Sequence, residues 1–226
     1  MRLDKFLVEC GIGSRSEVKK LISYGEILLE GTVCKDNNKN IDEKNSVVEY
    51  KGNRIIYKEF RYYKLYKIDG YITATEDKKE RTVMELLPEW VNQKDLFPVG
   101  RLDKDTEGLL FFTNDGKLAH ELTSPKKHVD KIYRVLLRDE IGEGEIQQLE
   151  AGVDIGGYIT QPAKAEIVNS KEILLNIKEG KFHQVKKMLK AVGNEVIYLK
   201  RETFGKLTLE DMTPGEVREI EKSDVI

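Results

Sequence analysis

Cysteine, histidine and tryptophan are scarce in this chain, and each scarcity removes a class of chemistry. Cys10 and Cys34 are the only cysteines in 226 residues. Both lie among apolar neighbours, which reads as buried free thiols rather than a disulfide framework or a zinc site. The three histidines, His120, His128 and His183, fall at no metal-ligand spacing. No metal or organic cofactor is expected. Trp90 is the single tryptophan, so a glycoside hydrolase would lack its sugar platform although carboxylates are plentiful. No apolar run approaches the ~18 residues of a membrane span, and no signal-peptide pattern opens the chain. A cytoplasmic protein with no membrane partner is expected. Net charge is nearly absent as well: 38 basic and 40 acidic residues leave −2, so any nucleic-acid partner must be met by local clusters.

What the chain does have is one over-charged stretch. Gly100-Arg-Leu-Asp-Lys-Asp-Thr-Glu-Gly108 crowds Arg101, Asp103, Lys104, Asp105 and Glu107 together just before Leu109-Leu-Phe-Phe-Thr113. The apolar half predicts a buried strand closed by an Asn114-Asp115-Gly116 turn. On a strand, Asp103, Asp105 and Glu107 would share one face, and three like charges there repel. An irregular loop with at most one inward carboxylate is the expectation, because a buried ion is costly unless paired.

Leu3, Phe6, Leu7 and Cys10 keep helical spacing over residues 2–10, and Ser14-Arg-Ser-Glu17 is a capping box opening a second helix that buries Val18, Leu21 and Ile22. Strands at 27–29, 33–35 and 47–50 follow, and then a connector over 51–60. A domain boundary near 58 divides residues 1–57 from 58–226. Tyr62 to Ile68 predicts a strand buried on both sides, Tyr71 to Thr75 another, and Val83 to Leu87 a short helix. A helix before Ser124-Pro125, a strand around Tyr133, a helix over 141–152, and strands at 166–168 and 173–177 come next. The chain ends with a helix through Val185–Val192 and strands at 196–199 and 206–209. Basic residues gather in 126–138 and 181–201, acids in 139–150 and 216–224, which suggests one basic face.

Two resemblances organise these observations. Met1-Arg-Leu-Asp-Lys-Phe6, Ser14-Arg15 and Gly25-Glu-Ile-Leu-Leu-Glu-Gly31-Thr-Val33 resemble the S4 RNA-binding module, which implies an RNA-facing role for Arg2, Ser14, Arg15, Lys19 and Lys20. Gly100–Gly116, Lys131-Ile-Tyr133 and Glu179-Gly-Lys-Phe-His-Gln-Val-Lys-Lys-Met-Leu189, with Leu199-Lys200-Arg201 and Gly205, resemble the S4-bearing pseudouridine synthases of the RsuA type. The implied fold is α+β: a small S4 domain plus a catalytic domain with a largely antiparallel sheet. The implied activity is isomerisation of a ribosomal RNA uridine, with the small-subunit RNA favoured over the large. The partner is then ribosomal RNA or a pre-ribosomal particle, and a monomer is expected. The alternative from another class is a non-catalytic S4-type assembly protein.

The resemblance assigns Asp103 as catalytic carboxylate, Tyr133 as the aromatic against the target base, and Lys186 as the cation beside Asp103. Arg101, Lys131, Lys181, Lys187 and Arg201 are candidate RNA contacts. Such a reaction needs an ionised carboxylate at C1′ or C2′, as nucleophile or base, in a partly dry cleft where a neighbouring cation favours the charged form. Asp105 and Glu107 are expected to brace the loop or face water, and His183 and Gln184 to act as scaffolding. The family's usual Lys-Pro-x-Gly is replaced here by Lys67-Ile-Asp-Gly70, with a small effect on the fold expected.

Overall fold

A computed structural model describes every residue except Pro125, Lys126 and His128. The parts of the basic segment at Lys126 and His128 therefore lie outside the described residues. The chain divides into two compact units: Met1–Phe60 with Glu89–Leu96, and Arg61–Pro88 with Phe97–Ile226.

The first unit holds α1 (Leu3–Glu9), α2 (Arg15–Tyr24) and four short strands: β1 (Ile27–Leu29), β2 (Thr32–Val33), β3 (Val48–Tyr50) and β4 (Asn53–Ile55). They pair antiparallel in the order β2-β1-β3-β4. Leu3, Phe6, Leu7, Val18 and Ile22 from the helices meet Ile27, Ile41 and Val48 in one small core. The capping box forms as the sequence predicts: the Ser14 backbone N–H donates to Glu17 Oε2 at 2.8 Å, and the Glu17 N–H returns to Ser14 Oγ at 3.4 Å. Gly25 ends α2 in the left-handed region at φ 78°, where glycine meets no Cβ penalty. The segment 89–96, which the sequence reading left with the catalytic part, belongs to this unit. Asn92 Nδ2 donates to the Glu9 carbonyl at 2.7 Å, and Lys94 Nζ to Glu9 Oε2 at 2.8 Å.

The second unit is built on β5 (Tyr62–Lys67), β6 (Phe97–Val99), β7 (Glu107–Thr113), β8 (Lys131–Leu137), β9 (Lys164–Asn169), β10 (Glu172–Ile177), β11 (Val196–Arg201), the small β12 (Thr203–Phe204) and β13 (Leu207–Thr208), and β14 (Val217–Glu219). Helices α3 (Gly116–Thr123), α4 (Glu143–Ala151), α5 (Gln184–Ala191) and α6 (Lys222–Val225) join them. The main sheet runs β14-β5-β7-β11-β8-β10-β9, with β6 also paired to β7. Its pairs are antiparallel except β7 with β11, which run parallel. The fold is thus a small helix-and-sheet unit followed by an α+β unit with a largely antiparallel sheet.

Local sequence explains most of these elements. β5 lies inside the sheet between β14 and β7, and every residue of Tyr62–Lys67 is buried, in keeping with its lack of alternation. Asp115 does more than turn the chain: its carboxylate N-caps α3 by accepting from the Leu118 N–H at 3.0 Å, and it also accepts from Tyr62 Oη at 3.1 Å. One expectation fails: Tyr71–Thr75 is irregular, with only an isolated parallel bridge from Ile72 to Thr82, whereas the short helix forms over Val83–Leu86 as a 3-10 turn of helix. Thr73 bonds through its hydroxyl to the backbone of Leu102 instead of extending a ladder.

Candidate active site

The over-charged loop connects β6 to β7 and is fastened from β5 and the segment after it. Lys67, fully buried at the end of β5, donates from Nζ to the carbonyls of Ile68 at 3.2 Å, Lys104 at 3.0 Å and Thr106 at 2.7 Å. Gly70 N–H reaches the Lys104 carbonyl at 3.0 Å, while Thr73 Oγ1 donates to the Leu102 carbonyl at 2.7 Å and accepts from its N–H at 3.1 Å. A loop held by this many backbone contacts presents its side chains in fixed directions. Burial pushes the Lys67 ammonium down to about 8, with Asp69, Asp105, Glu107 and Asp103 acting in the opposite sense.

The three carboxylates do not separate as the repulsion argument expects: Asp103 and Asp105 converge on one ammonium, and only Glu107, at the start of β7, goes elsewhere. Asp103, 25% exposed, lies 3.4 Å from Lys186 Nζ through Oδ2 and 3.5 Å from His183 Nε2 through Oδ1. Asp105 accepts from the same Lys186 Nζ at 2.6 Å. Glu107 accepts from Tyr198 Oη at 2.7 Å. Lys186 therefore does stand beside Asp103, but its shorter contact is to Asp105, which was expected only to brace the loop or face water. An ammonium with three donors can serve both carboxylates. Partial burial works to raise the Asp105 carboxyl, yet the Lys186 hydrogen bond and charge prevail and hold it below the ordinary range.

Asp103 lines a cavity of about 610 Å³ that also takes in Arg101, Lys131, Tyr133, Lys181 and Arg201. Tyr133 is buried and faces it because β8 alternates. The same alternation turns Arg134 to the opposite face, where it pairs with Glu172 and with Glu202 at 2.9 Å; Arg138, just past the strand, pairs with Asp139 and Glu195. The basic segment is therefore not one basic face. Arg101 is exposed at the cavity and makes no side-chain hydrogen bond or ion pair among the described residues.

Arg201 departs from its expected role as an open RNA contact. It is 2% exposed, its Nε donates to the Leu109 carbonyl at 2.8 Å, and its guanidinium carbon lies 5.0 Å from the Phe204 ring centroid. Position 201 is strand-paired to Tyr133 inside the sheet, which is why it is wall rather than surface. Lys131 donates to the Val129 carbonyl at 2.7 Å, and burial, with Arg201 nearby, brings its ammonium down to about 8. Lys181 is exposed over Tyr158, with Nζ 4.3 Å from the ring centroid, and Lys187 lies 5.2 Å from the Phe182 centroid.

In the first unit, Arg15, Lys19 and Lys20 are exposed on α2. Arg2 is held in a two-pronged pair with Asp4, and Ser14 is engaged in the cap. Among the described residues, no group of three or more His, Cys, Asp or Glu side chains is placed to hold a metal ion. Sequence reasoning missed three residues that shape the site. Lys67 was legible as a lysine in a strand expected to be buried on both sides, where it must find partners. His183, read as scaffolding, faces Asp103. Glu179, buried, accepts from Tyr158 Oη at 2.7 Å, the Gln161 N–H at 2.9 Å and Gln184 Nε2 at 2.8 Å, and so ties the loop before β9 to the start of α5. No local pattern announces that network.

With this geometry in hand, similarity to known proteins becomes interpretable. The RNA pseudouridylate synthase family matches residues 61–191, and the S4 domain matches residues 1–47. An uncharacterised RNA pseudouridine synthase of Bacillus subtilis, YtzG, is 48% identical over 231 residues, covering 100% of this chain and 97% of that protein. Ribosomal small subunit pseudouridine synthase A of Vibrio cholerae is 41% identical over 228 residues, covering 100% and 98%. A crystal structure of a pseudouridylate synthase aligns over 100% of this chain and 98% of its own with a TM-score of 0.69 and 31% identity. The chain belongs to the S4-bearing RNA pseudouridine synthases of the RsuA type. It is an enzyme acting on RNA.

Proposed function

We propose that this synthase converts one uridine of ribosomal RNA, in the small subunit, to pseudouridine, with Asp103 as the reacting carboxylate. The observation that carries the reading is a part-exposed Asp103 lining a cavity with Tyr133, on a loop fixed by backbone contacts, with Lys186 at 3.4 Å. Similarity over the full length to a protein named for the small-subunit reaction supports the choice of RNA.

The chemistry follows from the groups present. The N1–C1′ bond of the target nucleotide breaks with its electron pair going to N1, the uracil turns, C5 bonds to C1′, and as C5 gives up its proton N1 takes one up, so that the product is an isomer of the substrate. Asp103 assists as a nucleophile at C1′ or as a base at C2′. Lys186 sets a positive charge 3.4 Å from that carboxylate in a cleft that the extruded base dries. Tyr133 offers the base a face, offsetting the few kcal/mol that unstacking costs. Arg15, Lys19 and Lys20 of the S4 unit supply phosphate contacts.

Asp103→Asn tests the assignment. It should abolish pseudouridine formation in small-subunit RNA and leave RNA affinity within about twofold, because no phosphate contact is lost. Normal turnover in that variant would remove Asp103 from the mechanism. Pseudouridine lost from large-subunit RNA instead would reject the choice of RNA.

A further inference from the structure

Phe182 is 73% exposed, yet it is not a loose surface residue. Its ring stacks on His183, centroids 3.8 Å apart and planes within 21°, and Lys187 Nζ stands 5.2 Å from its centroid. His183 is itself locked in the left-handed region at φ 53° as the residue before α5. Its Nε2 lies 3.5 Å from Asp103 Oδ1. Phe182 and His183 both border the cavity that holds Asp103 and Tyr133. An aromatic ring is therefore held open to solvent, one stacked imidazole away from the proposed reacting carboxylate.

The surroundings indicate what the ring receives. An exposed ring among apolar neighbours would suit a protein partner, but the neighbours here are cations. Lys187 stands over its face, Lys181, the preceding residue in the chain, holds its ammonium over Tyr158, and neither has a carboxylate within ion-pair distance among the described residues. A flat hydrophobic face bordered by unneutralised ammonium groups matches a nucleotide: a base to stack and a phosphate to neutralise. The cavity already has an aromatic for the extruded uracil in Tyr133, so a ring at its border serves the next base along. An RNA strand whose target nucleotide has flipped has a neighbour that has lost its stacking partner, and Phe182 can replace it.

We infer that Phe182, stacked on His183 and flanked by Lys181 and Lys187, is a subsite for the unpaired nucleotide adjoining the target uridine. This rests on reading the cavity as the site of the extruded base. The subsite takes any base, since every base has a stacking face, and its contribution is to affinity and register rather than to bond-making.

Phe182→Trp provides the test in the full-length protein, with the parent, whose only tryptophan is Trp90, as background. An oligouridylate strand should quench the new indole saturably, and a strand of abasic ribose phosphates of equal length should not. Phe182→Ala should raise KM for a small-subunit RNA transcript about tenfold, the scale of one base–aromatic stack, with kcat little changed, and Phe182→Tyr should restore it. Equal quenching by the abasic strand would overturn the subsite, as would an unchanged KM in Phe182→Ala. A fall in kcat at constant KM would also overturn it, by showing that Phe182 acts only through His183 and Asp103. If Phe182 instead met a protein, naked RNA would give no quenching. The same titration in Asp103→Asn separates the two readings: quenching there persists even if Asp103 proves not to be the reacting group.

Discussion

Asp103 and Asp105 lie two positions apart and share Lys186, and that sharing gives the site its first prediction. Removing the charge of Asp105 frees Lys186 to move wholly to Asp103. Asp105→Asn should therefore slow turnover by less than about tenfold, whereas Lys186→Met, which leaves Asp103 with no ammonium beside it, should slow it a hundredfold or more (about 3 kcal/mol). Single-turnover rates on one RNA transcript distinguish the two. Lys67 makes a second residue-scale prediction. Its Nζ satisfies three carbonyls, so Lys67→Met should lower stability by about 2–4 kcal/mol in urea unfolding, because buried carbonyls lose a charged donor.

Lys67 and Lys131 also predict a pH dependence. Each has a folded-state value near 8 against an ordinary 10.5. Between those limits the unfolded chain binds more protons than the folded one. The destabilisation from burying each ammonium is thus fully present below about pH 8 and is relieved progressively as pH rises toward 10.5. Urea midpoints at pH 7 and pH 10 should show a smaller alkaline gain, or a larger alkaline loss, in Lys131→Met than in the parent. Identical pH dependence in the two proteins would contradict the assignment.

Among elements, the parallel pairing of β7 with β11 deserves a test because it is where the loop enters the sheet. Gly108 pairs with Arg201 at φ 107°, and a Cβ there would lie 2.3 Å from the Arg201 carbonyl oxygen. Gly108→Ala should lower stability by about 3 kcal/mol or more and disturb the loop, since neither backbone nor φ can accommodate the methyl. An alanine variant with parental urea midpoint would show that β7 and β11 separate readily. This pairing also marks the limit of what the sequence reveals. The apolar run Leu109–Phe112 announced a buried strand, and Ser14 with Glu17 announced a helix start, because each signal is local. That Lys186 would reach both Asp105 and Asp103 depends on packing between segments about 80 residues apart, and periodicity carries no such information. The edge strand Val217–Glu219 was missed for a related reason: it is short, polar and stabilised by pairing with β5 rather than by its own residues. The proposed site residues Asp103, Tyr133 and Lys186 were singled out through motif resemblance, while Phe182 read as one more letter of a motif.

At the scale of the whole molecule, near-zero net charge is compatible with RNA binding because the cations are distributed unevenly between pairs and open positions. Arg134 and Arg138 are consumed in ion pairs, whereas Arg15, Lys19, Lys20 and Lys181 are exposed. Replacing Arg15, Lys19 and Lys20 together by alanine should weaken RNA binding and reduce the salt slope of log K by about 2–3, without changing kcat at saturating RNA. Filter binding between 50 and 200 mM salt, conditions chosen for the steep part of that dependence, measures it. An unchanged slope would place the RNA elsewhere on the S4 unit. The central claim is more directly exposed to one measurement: pseudouridine mapping across ribosomal RNA from cells lacking this protein, complemented by the parent or by Asp103→Asn. The account predicts one small-subunit position that is pseudouridine with the parent and uridine with the variant. Restoration of that pseudouridine by Asp103→Asn would contradict it.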